Sequence, residues 1–351
     1  MADGNFKADH VWQKHANTDI WLWDGAGMAP NQAEYEQFLQ AAVERLTVGT
    51  LHLVAADADA DADAGSDLYP GFQKAPCENK FRAIANAFLA SKACDRTGVA
   101  AIACARHGCY APNALVDLFR GEQQKNVDFA FLQALKTTRV HPQQGVMLIY
   151  DIVCQYIIYI QERIGAHLPA GLSIDQAIGL LHVHGHKDEC FFRYAPSFIP
   201  GSGIVAGEIL ESLWSSLNSI SPTARTATLP HRAEMLDDHA TDSNHKKMLG
   251  ITATLCSKSR EALEISTQVS KHHTQLTAAF GEQAIERWED EVTAAELLRL
   301  QDVKAMDMYA TRGLQSAPAP ASASASAAAS TPGQSAVEEW IDFAMVFEQM
   351  Q

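Results

Sequence analysis

The chain has 351 residues, 47% of them hydrophobic, enough for one large domain or two ordinary ones with a sizeable core. Its formal charge is −15, from 27 Lys and Arg against 42 Asp and Glu, which argues against a surface built throughout to grip nucleic-acid phosphates. No run of about 18 apolar residues occurs, and the start, MADGNFKADH, has no basic segment followed by an apolar stretch, so neither a transmembrane helix nor a signal peptide is expected. Seven cysteines, an odd number lying beside histidines, fit a reducing compartment with thiols or metal sites better than a disulfide framework.

In chain order, Met1 to Trp23 reads as strand and turn, and Gly25-Ala26-Gly27 with Pro30 as a loop. Asn31 can cap a helix whose apolar face is Tyr35, Phe38, Leu39, Ala42, Val43 and Leu46. The segment 48–73 carries an Ala-Asp repeat with no packing logic and reads as an insertion or loop; Asp57 to Asp67 alone adds five Asp and no base. KFRAIANAFLA is a candidate helix, and Thr97 to Cys104 a short buried strand. Leu115 to Phe119 and Val127 to Leu135 read as helical. Val146 to Tyr150 is fully apolar and ends at Asp151, as a central strand with an acid at its C-terminal end does. Cys154 to Ile164 reads as helix, Ala177 to His184 as a further strand, and Ala206 to Leu217 as helix. A polar loop follows at Ser219 to Pro230, and a second polar stretch at Leu236 to Lys247. Helix dominates from Ser257 to Tyr309, with a stripe of Trp288, Val292, Ala295 and Leu298. APAPASASASAAAS is low-complexity linker, and the last residues form a short amphipathic helix.

Asp3, Asp151 and the pair Glu208 and Glu211, one helical turn apart, are the acids that stand out by position. Two strand-borne Asp and a helix-borne Glu can hold two divalent ions about 4 Å apart for phosphodiester transfer, and Mg²⁺ suits such oxygen ligands. An Asp after an apolar run is also an ordinary turn residue or cap, and two Glu on one helix are ordinarily solvated. Two Cys/His groups offer the ligand types of Zn²⁺. The first is Cys94, Cys104, His107 and Cys109; the second is His182, His186 and Cys190 in LHVHGHKDEC, which align on a helix at steps of four, while His182, His184 and His186 would share one face of a strand. Free Cys is equally a common buried residue, and His on one face can be plain packing.

The ordered set DGNF, ACARHG, GEQQKNVDFAFLQAL, YDIVCQY, HVHGHKDEC and GEILESLWSSLNS resembles the Kyakuja–Dileera–Zisupton (KDZ) transposases of fungi and other eukaryotes, from about Asp3 to about Trp288 without the Ala-Asp insertion. The resemblance implies an α/β, ribonuclease H-like mixed-sheet core with a helical insertion and a helical C-terminal region. It implies an Asp-Asp-Glu triad of Asp3, Asp151 and Glu211, with Glu208 as the alternative third acid. It also implies Mg²⁺ or Mn²⁺ as catalytic ion, DNA at transposon ends as partner, a nuclear location, no membrane, and assembly as a homo-oligomer. His182, His186 and Cys190 match a His/Cys segment of the family, and zinc there or at Cys94, Cys104, His107 and Cys109 would be structural. Where the family commonly shows Asp-Gly-Glu, this chain has Ala206-Gly207-Glu208.

The expected organisation is a core at 1–250, a helical region at 251–310, a linker at 311–337 and a terminal helix at 338–351. With two residues before Asp3, the strand that carries it is expected to be nearly absent and the chain a truncated copy that does not transpose DNA alone. Two rivals remain: a non-enzymatic, transposon-derived binding protein, which the acidic charge favours, and a zinc hydrolase built on His182, His186 and Cys190.

Overall fold

The computed structural model describes residues 1–13, 19–42 and 94–309. The Ala-Asp insertion, the helix expected in KFRAIANAFLA, Val43 and Leu46, the linker and the C-terminal helix lie outside the described residues. The chain divides into two units, Met1–Ile251 and Thr252–Gln351. The first begins with β1 (Ala2–Asn5), β2 (His10–Val11), α1 (Gln32–Ala41), β3 (Cys94–Arg96), β4 (Gly98–Ala103), β5 (Tyr110–Leu118) and α2 (Gln124–Thr137). It continues with β6 (Val146–Ile149), α3 (Val153–Tyr156), α4 (Ile160–Ile164), β7 (Ile174–Ala177), α5 (Leu180–Val183), α6 (Asp188–Tyr194), α7 (Ile209–Leu217) and α8 (Ser221–Ala224). α9 (Leu229–Phe280) starts in this unit.

The architecture is mixed α/β. β4, GVAAIA, is buried at every position, and its small side chains suit a strand covered on both faces. β1 lies antiparallel on one side of it, in register from Ala2↔Ile102 to Asn5↔Val99, and β5 lies antiparallel on the other. β6 pairs in parallel with β7, and a parallel bridge between Ala2 and Tyr150 brings the end of β6 alongside β1. The strand carrying Asp3 is thus present and paired over four residues, against the expectation that it is nearly absent. The Met1 ammonium is buried and donates to the Ala103 carbonyl at 2.8 Å; burial lowers its pKa to about 6.

Several local expectations change. Leu115 to Leu118, expected with Phe119 as helix, belong to β5 instead. The strand bulges at Pro112 and Asn113, the latter at φ +59°, which hides its alternation; the freed amides of Asn113 and Leu115 donate to the carbonyls of Gly27 and Met28. Cys154 to Ile164 is two short helices, and the strand expected through His184 stops at Ala177. Part of the loop expected at Ser219 to Pro230 is helical, as α8, and the polar stretch Leu236 to Lys247 lies inside the 52-residue α9, where only Leu236 and Ala240 of that stretch are buried, so its polarity marks a solvated face. Asn31 does cap α1, accepting from the Glu34 amide at 3.0 Å.

In the second unit α9 ends at Phe280, and α10 (Glu282–Leu298) follows a turn at Gly281. Phe280 packs edge-on against Trp288 at 5.3 Å between ring centres. Ile285 and Ala295 are the buried residues of α10, while Trp288 and Leu298 of the expected stripe stay more than a third exposed.

One ion cluster ties the first unit together. Asp117 on β5 receives the Arg232 guanidinium from α9 and Arg96 Nε from β3 at 3.2 Å. Arg232 is 1% exposed and also donates to the Ala8 carbonyl at 2.7 Å. Burial works to raise the Asp117 pKa, but the two guanidiniums more than offset it and hold it below the ordinary carboxylate value. Asp117→Asn should therefore cost about 3–5 kcal/mol, because two buried cations lose their counter-charge. The contribution of a depressed carboxylate is present above its unfolded pKa of about 3.9 and lost as pH falls through the folded value. Urea denaturation from pH 7 to pH 3 should show the gap between parent and Asp117→Asn narrowing toward acid; a gap that stays constant would contradict this account.

Candidate active site

The acids singled out by position meet at one end of the sheet. Asp3 sits mid-strand in β1, and Asp151 directly follows Tyr150, the residue bridged to Ala2, so the two acids lie about one strand spacing of 4.8 Å apart along the backbone. α7 brings the glutamates. Leu210, Leu213, Trp214 and Leu217 form its buried face at i, i+3, i+4 and i+7, packed in the core with Met1, Val99 and Ile149. Glu208 occupies the N-cap and Glu211 the first turn, where the helix dipole favours negative charge.

Gly207 sets the approach of α7. Its φ is +78°, and a Cβ there would lie 3.0 Å from Ile149 Cγ2 and 3.1 Å from Gly179 Cα. Only glycine meets both conditions without strain, so the turn before Glu208 can press against the end of β6 two residues ahead of Asp151.

Each acid has a distinct environment. Asp3 Oδ2 accepts from Trp214 Nε1 at 2.6 Å, and Oδ1 from the Gly4 amide at 2.8 Å. Burial first, then the charges of Glu122 and Asp151, raise the Asp3 pKa to about 8 against the pull of the Trp214 bond. Asp151 Oδ2 lies 3.2 Å from His182 Nε2, while its Oδ1 is buried and accepts no hydrogen bond among the described residues. Burial raises the Asp151 pKa, partly countered by His182.

Both Glu208 oxygens are engaged: Oε1 accepts from the Leu181 amide at 2.9 Å, and Oε2 lies 2.9 Å from His182 Nδ1. Burial opposes its charge, yet these bonds hold its pKa below the ordinary value. Glu211 is freer, 3.9 Å from His182 Nε2, with its pKa raised by burial and then by the charges of Glu208 and Asp151. His182, hydrogen-bonded to Glu208 and facing Asp151 and Glu211, has its pKa raised to about 9 although burial works the other way. Ligand atoms of Asp151, His182 and Glu211 all lie within 4.8 Å of one another.

Glu122 is a further acid of this cluster that the sequence reading does not single out. It is 5% exposed and accepts from Tyr150 Oη at 2.8 Å. Its carboxylate fills the space over Gly4, where a Cβ would lie 2.3 Å from Oε2. Burial, with the Asp151 charge adding, raises its pKa to about 7 against the Tyr150 bond. A Gly-Glu pair between strand and helix looks like a turn; only the pairing of β1 with β4 turns it toward the site.

The Cys/His groups are arranged otherwise than expected. Cys94 pairs with Val11 at the far end of β3 and donates to Asp9 Oδ2 at 3.4 Å. Cys104, His107 and Cys109 sit in the turn after β4, with Cys104 Sγ 3.4 Å from His107 Nδ1. The six residues of β4 separate Cys94 from that turn by about 20 Å of strand, so the structure does not bring the four together. His182 faces the carboxylates from α5 rather than joining His186 and Cys190, so the expected His182–His186–Cys190 set is not assembled either. Cys154 takes the third place beside His186 and Cys190. The reason is the break after α5: two short helices with a turn at 184–187 do not continue the four-residue step.

A carboxylate whose pKa is raised on folding costs stability above its unfolded value of about 3.9, and the cost grows until pH passes the folded value. For Asp3 that window runs to about 8. With chelator present, Asp3→Asn should be more stable than the parent at pH 7 by more than about 1.4 kcal/mol, the worth of one pKa unit. The gain should shrink at pH 5; urea titrations giving equal effects at both pH values would refute it.

No curated protein and no solved structure matches the chain. The family model described as Kyakuja-Dileera-Zisupton transposase matches residues 1–244, which take in β1 to α8, every acid of the cluster and the start of α9. With well over half of its length matched, the chain belongs to the Kyakuja-Dileera-Zisupton transposase family.

Proposed function

We propose that this chain is the catalytic core of a DNA transposase that cuts and joins phosphodiester bonds with Mg²⁺ or Mn²⁺ held by Asp3, Asp151 and Glu211. The observation that carries the reading is the buried, unbonded Oδ1 of Asp151 beside the converging ligand atoms of Asp151, His182 and Glu211, with Asp3 on the adjoining strand. A buried carboxylate oxygen without a donor is costly unless a cation completes it. The strand arrangement supports a ribonuclease H-like core: β5, β4 and β1 antiparallel, β6 and β7 parallel, joined through the Ala2–Tyr150 bridge. Family membership supports DNA at transposon ends as the substrate, a nuclear location and assembly as an oligomer.

When bound, divalent ions supply Lewis-acid stabilisation of the transferring phosphoryl group and activate a water or 3′-hydroxyl. The residues of the chain prepare that site. Trp214 and the Gly4 amide fix the Asp3 carboxylate. Glu208, held by the Leu181 amide, orients His182. His182, its pKa raised to about 9 chiefly by its hydrogen bond to Glu208, faces the surrounding negative charge. Glu211 is favoured over Glu208 as the third metal-binding acid because its carboxylate, unlike that of Glu208, converges with Asp151 and His182.

A second reading, favoured by the net charge of −15, keeps the family fold as a binding module without cleavage. A strand-transfer assay on the full chain with Mg²⁺ or Mn²⁺ separates the two. Asp151→Asn and Glu211→Gln should each lose more than the roughly hundredfold that a 1 Å misplacement costs. Equal background signals from parent and Asp151→Asn would favour the binding module. A loss in Glu208→Gln exceeding that in Glu211→Gln would reverse the assignment of the third acid.

A further inference from the structure

We propose that Cys154, His186 and Cys190 bind a single Zn²⁺, in a site separate from the carboxylate cluster. Cys154 comes from α3, His186 from the turn after α5, and Cys190 from α6. One ligand atom of each lies within 4.8 Å of the others, and Cys154 Sγ is 3.6 Å from His186 Nδ1. Around a tetrahedral zinc, bonds of about 2.3 Å to sulfur and 2.0 Å to nitrogen put neighbouring S and N ligands about 3.5 Å apart. The observed separation is that tetrahedral edge.

The chemistry of the set selects the ion. Two sulfurs and an imidazole are soft and borderline donors, which bind Zn²⁺ in preference to the oxygen-seeking Mg²⁺. Both cysteines are buried and free of disulfide, His186 is half-buried, and a water would supply the fourth ligand. The three residues are remote in sequence, 154 against 186 and 190, so one ion would cross-link α3 to the α5–α6 turn. Those two segments also present Asp151, three residues before Cys154, and His182, four residues before His186. Zinc here would hold the backbone that places His182 against Asp151 without touching the reacting centre. The set also differs from the one that the His/Cys spacing suggests, because Cys154, beside the second acid, replaces His182.

The test uses the full chain with Cys104→Ser and Cys109→Ser, which removes the exposed turn as a competing site. Protein made with zinc in the medium and purified without chelator should contain about one zinc per chain by elemental analysis. His182→Ala should retain it, whereas Cys154→Ser or Cys190→Ser should lower affinity by more than roughly a hundredfold, beyond the effect of losing an outer-shell partner. Cobalt exchanged into the same protein should give thiolate-to-metal charge-transfer absorption; this needs no ligand variant and so stands even if the serine variants fail to fold. Cys190→His, which keeps a ligand, should restore metal content. Zinc-free protein without cobalt–thiolate absorption would overturn the proposal. So would a Cys154–Cys190 disulfide in freshly purified protein, or zinc retained in Cys154→Ser with Cys190→Ser and lost in His182→Ala.

Discussion

Like charges held close together are the constraint around which this fold is organised. Asp3, Asp151, Glu208 and Glu211 gather at one end of the sheet with Glu122 behind them, and His182 is the basic side chain set among them. Such a cluster is unfavourable in isolation: burial first, and the neighbouring carboxylates after it, displace the pKa values of Asp3, Glu122, Asp151 and Glu211 upward. It persists because rigid elements impose it: an antiparallel pair for Asp3, the end of a parallel strand for Asp151, and the apolar face of α7 for the glutamates. Acids pressed together against their own repulsion are what a binding site for multivalent cations requires.

Asp117 shows the opposite solution on the same sheet. There one buried carboxylate has two guanidiniums and a depressed pKa, and the result is cohesion between β5, β3 and α9. The contrast separates paired from clustered charge within one domain. A paired acid adds stability when ionised; the clustered acids withdraw it until a counter-charge arrives.

How much of this could be read beforehand depends on the range of the interactions involved. The apolar run ending at Asp151 and the helical face around Trp214 are local patterns, and both elements form where the sequence reading expects them. The bulge at Pro112–Asn113 breaks the alternation of β5, so that strand is illegible as one. Glu122 has no local mark of function, because its position is decided by Gly4, more than a hundred residues away. The histidine-rich segment misled through an assumption of continuity: His182, His186 and Cys190 align on one uninterrupted helix, but the chain turns between them and hands His182 to the acids. Cys154 was passed over because nothing near it in sequence is a second ligand.

β1 also has a bearing on how the protein is made. Met1 bonds to a residue 102 positions ahead, Asp3 to one 211 ahead and Asn5 to one 213 ahead. During synthesis at about 5–20 residues per second, the first strand must wait on the order of ten seconds or more before the helix that clamps its acid exists. Contacts of such span carry a large loop-closure cost and form late in folding. Until β4 emerges, β1 is a free strand edge, open to pairing with other nascent chains. The acid cluster cannot assemble on a growing chain until α7 has emerged, so any chemistry it performs is confined to polypeptide that already extends past Leu217.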